Sequence, residues 1–395
     1  MPDQNTPRSD AAAPATASPA PYDILTSPEV LPDHRVTFRI YAPKASEVSV
    51  QGDWITQGRG TGGPLRKDDQ GIWSITVGPL VPDFYSYTYT VDGVRTIDPQ
   101  NPTIKPGIAR LENMFLVPGE EAAFAGTWPV PHGDVRIVWY DSTACNCVRR
   151  MHIYTPPGYD GSDEMYSVLY LIHGGGDDDS GWSTIGRAGF IMDNLLAAGK
   201  VEPMIVVMPN GSVRRPGVSY RLTGADRSSP AAIRARIEGI SALHDTFVED
   251  LLKAIIPTVE RRYRVLTDRD HRAVAGLSMG GAETLRVAPS NLDKFAYIGV
   301  FSMGLQVGPE AGVNTDFEER NADFFANPDR TNELLKLFWI AAGEDDRTIT
   351  DGARRLSETL KRRGIRHVFH ESAGGHTWIN WRQYLYDFLQ LLFRD

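Results

Sequence analysis

The chain has 395 residues, a formal net charge of −9, 41% hydrophobic and 10% aromatic side chains, and only two cysteines. That length leaves room for two cores and the composition suits ordinary globular packing. The negative balance argues against nucleic acid or an anionic membrane as partner, and no run approaches the ~18 apolar residues of a membrane span.

Residues 1–22 are Ala, Pro, Ser, Thr and polar residues, read as a disordered or linker segment without the apolar core of a signal peptide. From about Ser27 to Val117 short apolar–polar alternations recur, as in Arg35-Val36-Thr37-Phe38-Arg39-Ile40-Tyr41 and Tyr85-Ser86-Tyr87-Thr88-Tyr89-Thr90-Val91. Gly, Pro and Asp turns separate them, which predicts an all-β sandwich over residues 23–120. Residues 121–137 read as a linker and 138–395 as a second domain. Cys145 and Cys147, where the linker would enter it, are too close in sequence for an unstrained bridge, so free thiols are expected. Two such ligands make no zinc site.

In the second part Val168-Leu169-Tyr170-Leu171-Ile172 reads as a strand and runs into His173-Gly174-Gly175-Gly176. A glycine loop after an early strand supplies a backbone N–H to an oxyanion and lets the main chain approach a substrate closely. Gly175 and Gly176 are both candidates, and His173 reads as a packed structural residue. Asp177-Asp178-Asp179 reads as a solvated acidic turn rather than a calcium loop, because no pattern of oxygen ligands follows. After the strand Met204-Ile205-Val206-Val207-Met208, the stretch Ser212 to Leu243 carries Arg214, Arg215, Tyr220, Arg221, Arg227, Arg234 and Arg236. These arginines could meet an acidic substrate or pair with surplus Asp and Glu, and the second reading is preferred.

The most informative residues are Gly276-Leu277-Ser278-Met279-Gly280, between an apolar run and a helix-compatible stretch. This is the setting of a nucleophile elbow, with Ser278 as nucleophile and the Met279 N–H at a helix start as the other oxyanion donor. A serine needs a base and the base an orienting acid, in the chain order Ser, Asp or Glu, His. The apolar run Leu337 to Ala342 is followed by Glu344, Asp345 and Asp346, of which Asp346 is favoured. His376, in a glycine-containing loop before the last helix, is the base; His367 and His370 lie in a strand-like segment and read as structural. Trp182, Trp378 and Trp381 are candidates for an aromatic acyl pocket, Trp378 first because it is two residues from His376.

From about Val138 onward these residues resemble the esterase D group, specifically carbohydrate esterase family 1, with its feruloyl and acetylxylan esterases. The matching segments include Arg150 to Tyr159, the glycine loop, Met208-Pro209-Asn210-Gly211, Ala275 to Gly281 and Gly374-Gly375-His376-Thr377-Trp378. The N-terminal part resembles the isoamylase N-terminal domain, related to carbohydrate-binding module family 48, through Gly52-Asp53-Trp54, Gly71-Ile72-Trp73 and Asp98-Pro99-Gln100-Asn101-Pro102. The resemblance implies an α/β-hydrolase domain preceded by an immunoglobulin-like sandwich, with Ser278, Asp346 and His376 as the triad, no metal and no organic cofactor.

It further implies a serine esterase working on plant cell-wall polysaccharide, feruloyl arabinoxylan foremost. Acetylxylan, an enterobactin-like siderophore or an aromatic polyester are the alternatives. Asn210 joins the three tryptophans as a substrate-binding candidate. In the sandwich, Trp54 could stack on a pyranose ring, with Lys67 or Asn101 bonding hydroxyls. Otherwise Trp54 covers a rim, Trp73, Tyr85, Tyr87 and Tyr89 pack between the sheets, and the domain shapes the esterase cleft. An enzyme of this kind is expected to be secreted or periplasmic, its leader already removed.

Overall fold

A computed structural model of the chain describes residues 24–56, 59–108, 111–213, 230–306 and 316–394. The expected disordered segment 1–22 lies outside the described residues, as do Arg214, Arg215, Tyr220, Arg221 and Arg227. Arg234 and Arg236 fall in the helix Pro230–Asp250.

Alternation of apolar and polar residues builds the N-terminal unit as two facing sheets. One has the order β1 (Glu29–Val30), β2 (Val36–Tyr41), β6 (Ile72–Val77), β5 (Arg66–Lys67). The other runs β4 (Arg59–Pro64), β3 (Val48–Thr56), β7 (Asp83–Val91), β10 (Glu112–Val117), β9 (Ile104–Lys105), with β8 (Val94–Thr96) paired to β7. The antiparallel register Phe38↔Ile75 and Val50↔Tyr89 sends alternate side chains inward. Val36, Phe38 and Ile40 thereby meet Val48, Val50, Tyr85, Tyr87, Tyr89 and Phe115 in one core.

Two expectations for this unit change. Trp54 is neither a sugar platform nor a rim residue: it is buried and stacks on Phe38 at 5.2 Å. Lys67 spends its ammonium on the carbonyls of Pro43 and Ala45. Asn101 is buried and donates to Tyr87 Oη and to the Met114 carbonyl. The Asp98 to Pro102 segment therefore has a structural reason. Asp98 Oδ2 accepts from Ser27 Oγ at 2.6 Å and Tyr87 Oη at 2.8 Å, and burial raises its pKa and those of both tyrosines around it, Tyr87 and Tyr89.

The second unit is an eight-stranded sheet in the order β11 (Asp134–Ser142), β12 (Cys147–Thr155), β14 (Met204–Pro209), β13 (Ser167–Ile172), β15 (Arg272–Leu277), β16 (Tyr297–Phe301), β17 (Leu337–Gly343), β18 (Val368–Ser372). From β14 to β18 every pairing is parallel. Such strands are covered on both faces and read as continuous apolar runs. Along β13, Val168, Tyr170 and Ile172 enter one core and Leu169 and Leu171 the other. This is the α/β-hydrolase architecture preceded by a β-sandwich. β11 starts at Asp134, inside the stretch read as linker, and Cys145 and Cys147 sit at the β11–β12 hairpin as free thiols. Among the described residues no helix is long and apolar enough to cross a membrane.

The two units share buried contacts. Phe84 and Met114 of the sandwich belong to a core of the large sheet, and Ile379 of the last helix packs on the sandwich core. Arg382, fully buried, donates to Asp83 Oδ1 at 2.6 Å, to the Phe84 carbonyl at 2.8 Å and to the Ile185 carbonyl at 2.8 Å.

Candidate active site

Ser278 follows β15 directly and precedes the helix Met279–Val287, with φ 52° and ψ −114°. A residue with a side chain is rarely held there, at a cost on the order of 1–3 kcal/mol, unless its surroundings fix it. The surroundings do: Ser278 N–H donates to the Phe301 carbonyl at 2.8 Å. The flanking glycines answer to close packing. A Cβ on Gly276 would stand 2.3 Å from the Gly280 backbone, and one on Gly280 2.5 Å from the Ile172 carbonyl oxygen. Helix and strand thus approach only because both positions lack side chains, and the turn leaves Ser278 on the cavity.

His376, between β18 and the helix Trp378–Leu389, brings Nε2 to 2.9 Å from Ser278 Oγ. Its Nδ1 lies 2.6 Å from Oδ2 of half-buried Asp346, just past β17. The approach is oblique, so the pair has ion-pair distance without hydrogen-bond alignment. Catalytic hydrogen bonds are often misaligned before substrate arrives. Glu344 and Asp345 are exposed, and their backbone N–H groups hold the His loop through the Ser372 and Gly374 carbonyls. His370 stacks on Trp339 and His367 bonds Ser357, both away from the cavity.

Gly174, Gly175 and Gly176, past β13, line the cavity beside Ser278. A Cβ on Gly174 would strike the Leu277 side chain at 2.4 Å, and Gly176 has φ +97°. A Cβ on Gly175 would come within 4.0 Å of the Met279 Cβ, so the loop flanks the start of the helix, where backbone N–H groups lack intrahelical partners. His173 is buried beneath this loop, its Nε2 accepting the Gly211 N–H at 3.0 Å.

The turn after the glycines is not the solvated one expected. Asp177 and Asp179 are buried; Asp177 pairs with Lys105 at 2.8 Å, and Asp179 with Arg150 and His152, each at 2.7 Å. Hydrogen bonds from His152 and Arg150 hold the Asp179 carboxyl below its ordinary range despite burial.

The cavity has a volume of about 630 Å³ and two unlike walls. One carries Ser278, His376, Leu277, Ile349, Trp378 and Trp381; the other comes from the sandwich and carries Gln51, Asp53, Ser86, Thr88, Arg95, Lys105 and Glu112. Asp53 keeps some surface in the cleft, yet desolvation between the units pushes its carboxyl up to about 6, against the lowering effect of the Ser86 N–H.

Of the substrate-binding candidates, Trp378 and Trp381 line this cavity. Trp381 meets the His376 ring edge-to-face at 4.9 Å and donates from Nε1 to Ser302 Oγ at 2.9 Å. Trp182 and Asn210 do not line it. Trp182 is buried behind Trp378, its Nε1 donating to the Ile172 carbonyl, because a ring that size completes the core under β13. Asn210 Oδ1 accepts the Ser212 N–H, closing the strand end rather than facing a ligand. The sandwich does shape the cleft, the alternative the sequence offered for it, but none of the residues of its wall was singled out, since nothing local marks a residue that faces a site in another domain.

Residues 142–392 match the family described as "Putative esterase", and residues 26–106 match carbohydrate-binding module 48, the isoamylase N-terminal domain. An endo-1,4-beta-xylanase/feruloyl esterase of Xylanibacter ruminicola is 31% identical over 90% of this chain, which spans 44% of that relative's length. A solved ferulic acid esterase is 25% identical at a TM-score of 0.52, covering 66% of this chain and 97% of its own. The enterobactin esterase of Shigella flexneri, 16% identical with a TM-score of 0.60, covers 90% of this chain and 92% of its own, a likeness of fold across both units.

Proposed function

Because the chain belongs to the esterase family matched by its residues 142–392, we propose that it hydrolyses carboxylic esters through an acyl-enzyme on Ser278, with feruloyl esters of plant cell-wall arabinoxylan as substrate. The observation that carries the reading is the meeting of three groups distant in sequence: Ser278 Oγ, His376 Nε2 at 2.9 Å, and Asp346 Oδ2 at 2.6 Å from His376 Nδ1. His376 takes the Ser278 proton as Oγ attacks the ester carbonyl. The Met279 N–H and that of Gly175 or Gly176 hold the oxyanion, each donor contributing on the order of 100- to 1000-fold. His376 then protonates the leaving alcohol, and water repeats the sequence on the acyl-enzyme. Asp346 keeps the imidazole in the useful tautomer and stabilises it when charged.

The feruloyl part rests on the xylanase/feruloyl esterase relative and on Trp378 and Trp381 at the cavity, where a flat aromatic acyl group would stack. Such work takes place outside the cytoplasm. The test is kcat/KM on methyl ferulate and p-nitrophenyl acetate for wild type and Ser278→Ala. Turnover of methyl ferulate by wild type, with Ser278→Ala slower by about 10⁴-fold or more, supports the reading. Hydrolysis of the acetate alone would discard the feruloyl assignment and leave a short-chain acyl esterase.

A further inference from the structure

The sandwich places a buried cation, Lys105, against the glycine loop. Lys105 ends β9, directly across the strand pair from Glu112 of β10, and this partner aims its chain. Its Nζ lies 2.8 Å from Glu112 Oε2 and 2.8 Å from Asp177 Oδ1, and all three side chains are largely buried. Desolvation opposes the ammonium, but the two carboxylates outweigh it and raise its pKa, so Lys105 stays charged.

Asp177 is the residue after Gly176, and its N–H returns to the Gly174 carbonyl at 3.3 Å, closing a turn over Gly175 and Gly176. Two residues on, Asp179 is tied within its own domain to Arg150 and His152. The glycine turn itself has no side chains with which to hold its shape. Its near end is therefore fixed by a lysine from the other domain.

We propose that Lys105 is a positioning residue for ester hydrolysis: through Asp177 it holds the Gly175–Gly176 backbone where an N–H meets the oxyanion, so the sandwich domain supports catalysis even on substrates too small to touch it. This rests on the esterase reading of Ser278 above. Removing the ammonium leaves the Asp177 and Glu112 carboxylates facing each other without the cation they share, an arrangement relieved by moving the loop.

The experiment is steady-state hydrolysis of p-nitrophenyl acetate by full-length wild type, Lys105→Met, Lys105→Arg, Asp177→Asn and Ser278→Ala, with melting temperatures alongside. Displacement of an oxyanion donor by about 1 Å predicts a 10- to 100-fold fall in kcat for Lys105→Met, with KM within about twofold. Lys105→Arg should recover most of the loss and Asp177→Asn should reproduce it. A folded Lys105→Met with kcat within about twofold of wild type overturns the proposal; if that variant does not fold, Asp177→Asn is judged by the same criterion. Wild type without Ser278-dependent hydrolysis would instead bring down the esterase reading itself.

Discussion

On one side of the cavity, Ser278, His376, Asp346 and the glycine loop hang from the ends of parallel strands β15, β18, β17 and β13, Ser278 directly and the others just beyond. On the other side, Gln51, Asp53, Thr88, Arg95, Lys105 and Glu112 come from a sandwich whose own core lies elsewhere. The first wall is supported mostly within its own domain, by close backbone packing at Gly276 and Gly280 and by ladders on both sides of β15. The second wall is in place only while the units stay docked, through Arg382–Asp83, Lys105–Asp177 and the exchange of Phe84, Met114 and Ile379 between cores. On the proposed reading, chemistry thus sits on the wall with local support, and the wall that depends on docking tunes it.

The hardest way to break this arrangement is at Arg382. Its guanidinium is fully buried, bridges Asp83 and two carbonyls, and lies 5.8 Å from the Phe84 ring centre. Arg382→Met leaves Asp83 as a buried carboxylate without its cation, a loss on the order of 3–5 kcal/mol. Urea unfolding should show that loss, and Asp83→Asn in the same chain should restore part of it. A change below about 1 kcal/mol would mean that the units dock without the Arg382–Asp83 pair, on the apolar exchange and Lys105–Asp177.

A smaller effect, with a sign, is expected at Asp53. Its Oδ1 accepts the Ser86 N–H at 2.7 Å and its Oδ2 faces Ser86 Oγ at 3.0 Å, while Arg382, Glu112 and Lys105 act on it through space. A carboxyl raised to about 6 in the folded state, from 3.8, binds its proton more tightly folded than unfolded. Folding therefore loses stability as pH rises from about 4 through 6, and the full penalty is present above 6. Asn keeps both Ser86 contacts and carries no charge. Asp53→Asn should be more stable than wild type at pH 8, by roughly 1–2 kcal/mol once partial solvation is discounted. The gap should close toward pH 4.5 in thermal melts, and a gap independent of pH would show that Asp53 is not desolvated by docking.

How much of this was legible in the sequence follows the same division. The elbow, the glycine loop and His376 each have a local signature, because a sharp turn or a close backbone approach demands glycine at fixed offsets. The apolar runs of β13 and β15 were equally plain, since strands buried on both faces cannot hide their composition. Trp54 was misread because an alternating strand says which side a ring points to, not whether a second sheet covers it; Phe38 of the facing sheet does. Asp177 and Asp179 looked like a solvated turn because their cations lie far off in the chain, at Lys105 and Arg150. Asn210 and Trp182 had motif and composition in their favour, but their packing is decided by neighbours that no spacing rule names.

Trp381 gives the mildest test and separates the walls most finely. It lines the cavity, yet its nearest reactive neighbour is His376, met edge-to-face at 4.9 Å, and its Nε1 is fixed on Ser302 Oγ. Ser302 is itself held at φ 47° with its N–H on the Ala341 carbonyl, so the indole is anchored to the end of β16. An aromatic pair of this kind contributes ~0.5–1.5 kcal/mol beyond burial, or about 2- to 12-fold if it serves to hold the imidazole. If the ring works through His376, Trp381→Leu should lower kcat on p-nitrophenyl acetate and methyl ferulate alike. If it instead cradles the acyl group, KM for methyl ferulate should rise while the acetate is left nearly unchanged. Equal losses would assign Trp381 to the support of the base, and with it the apolar wall to chemistry rather than recognition.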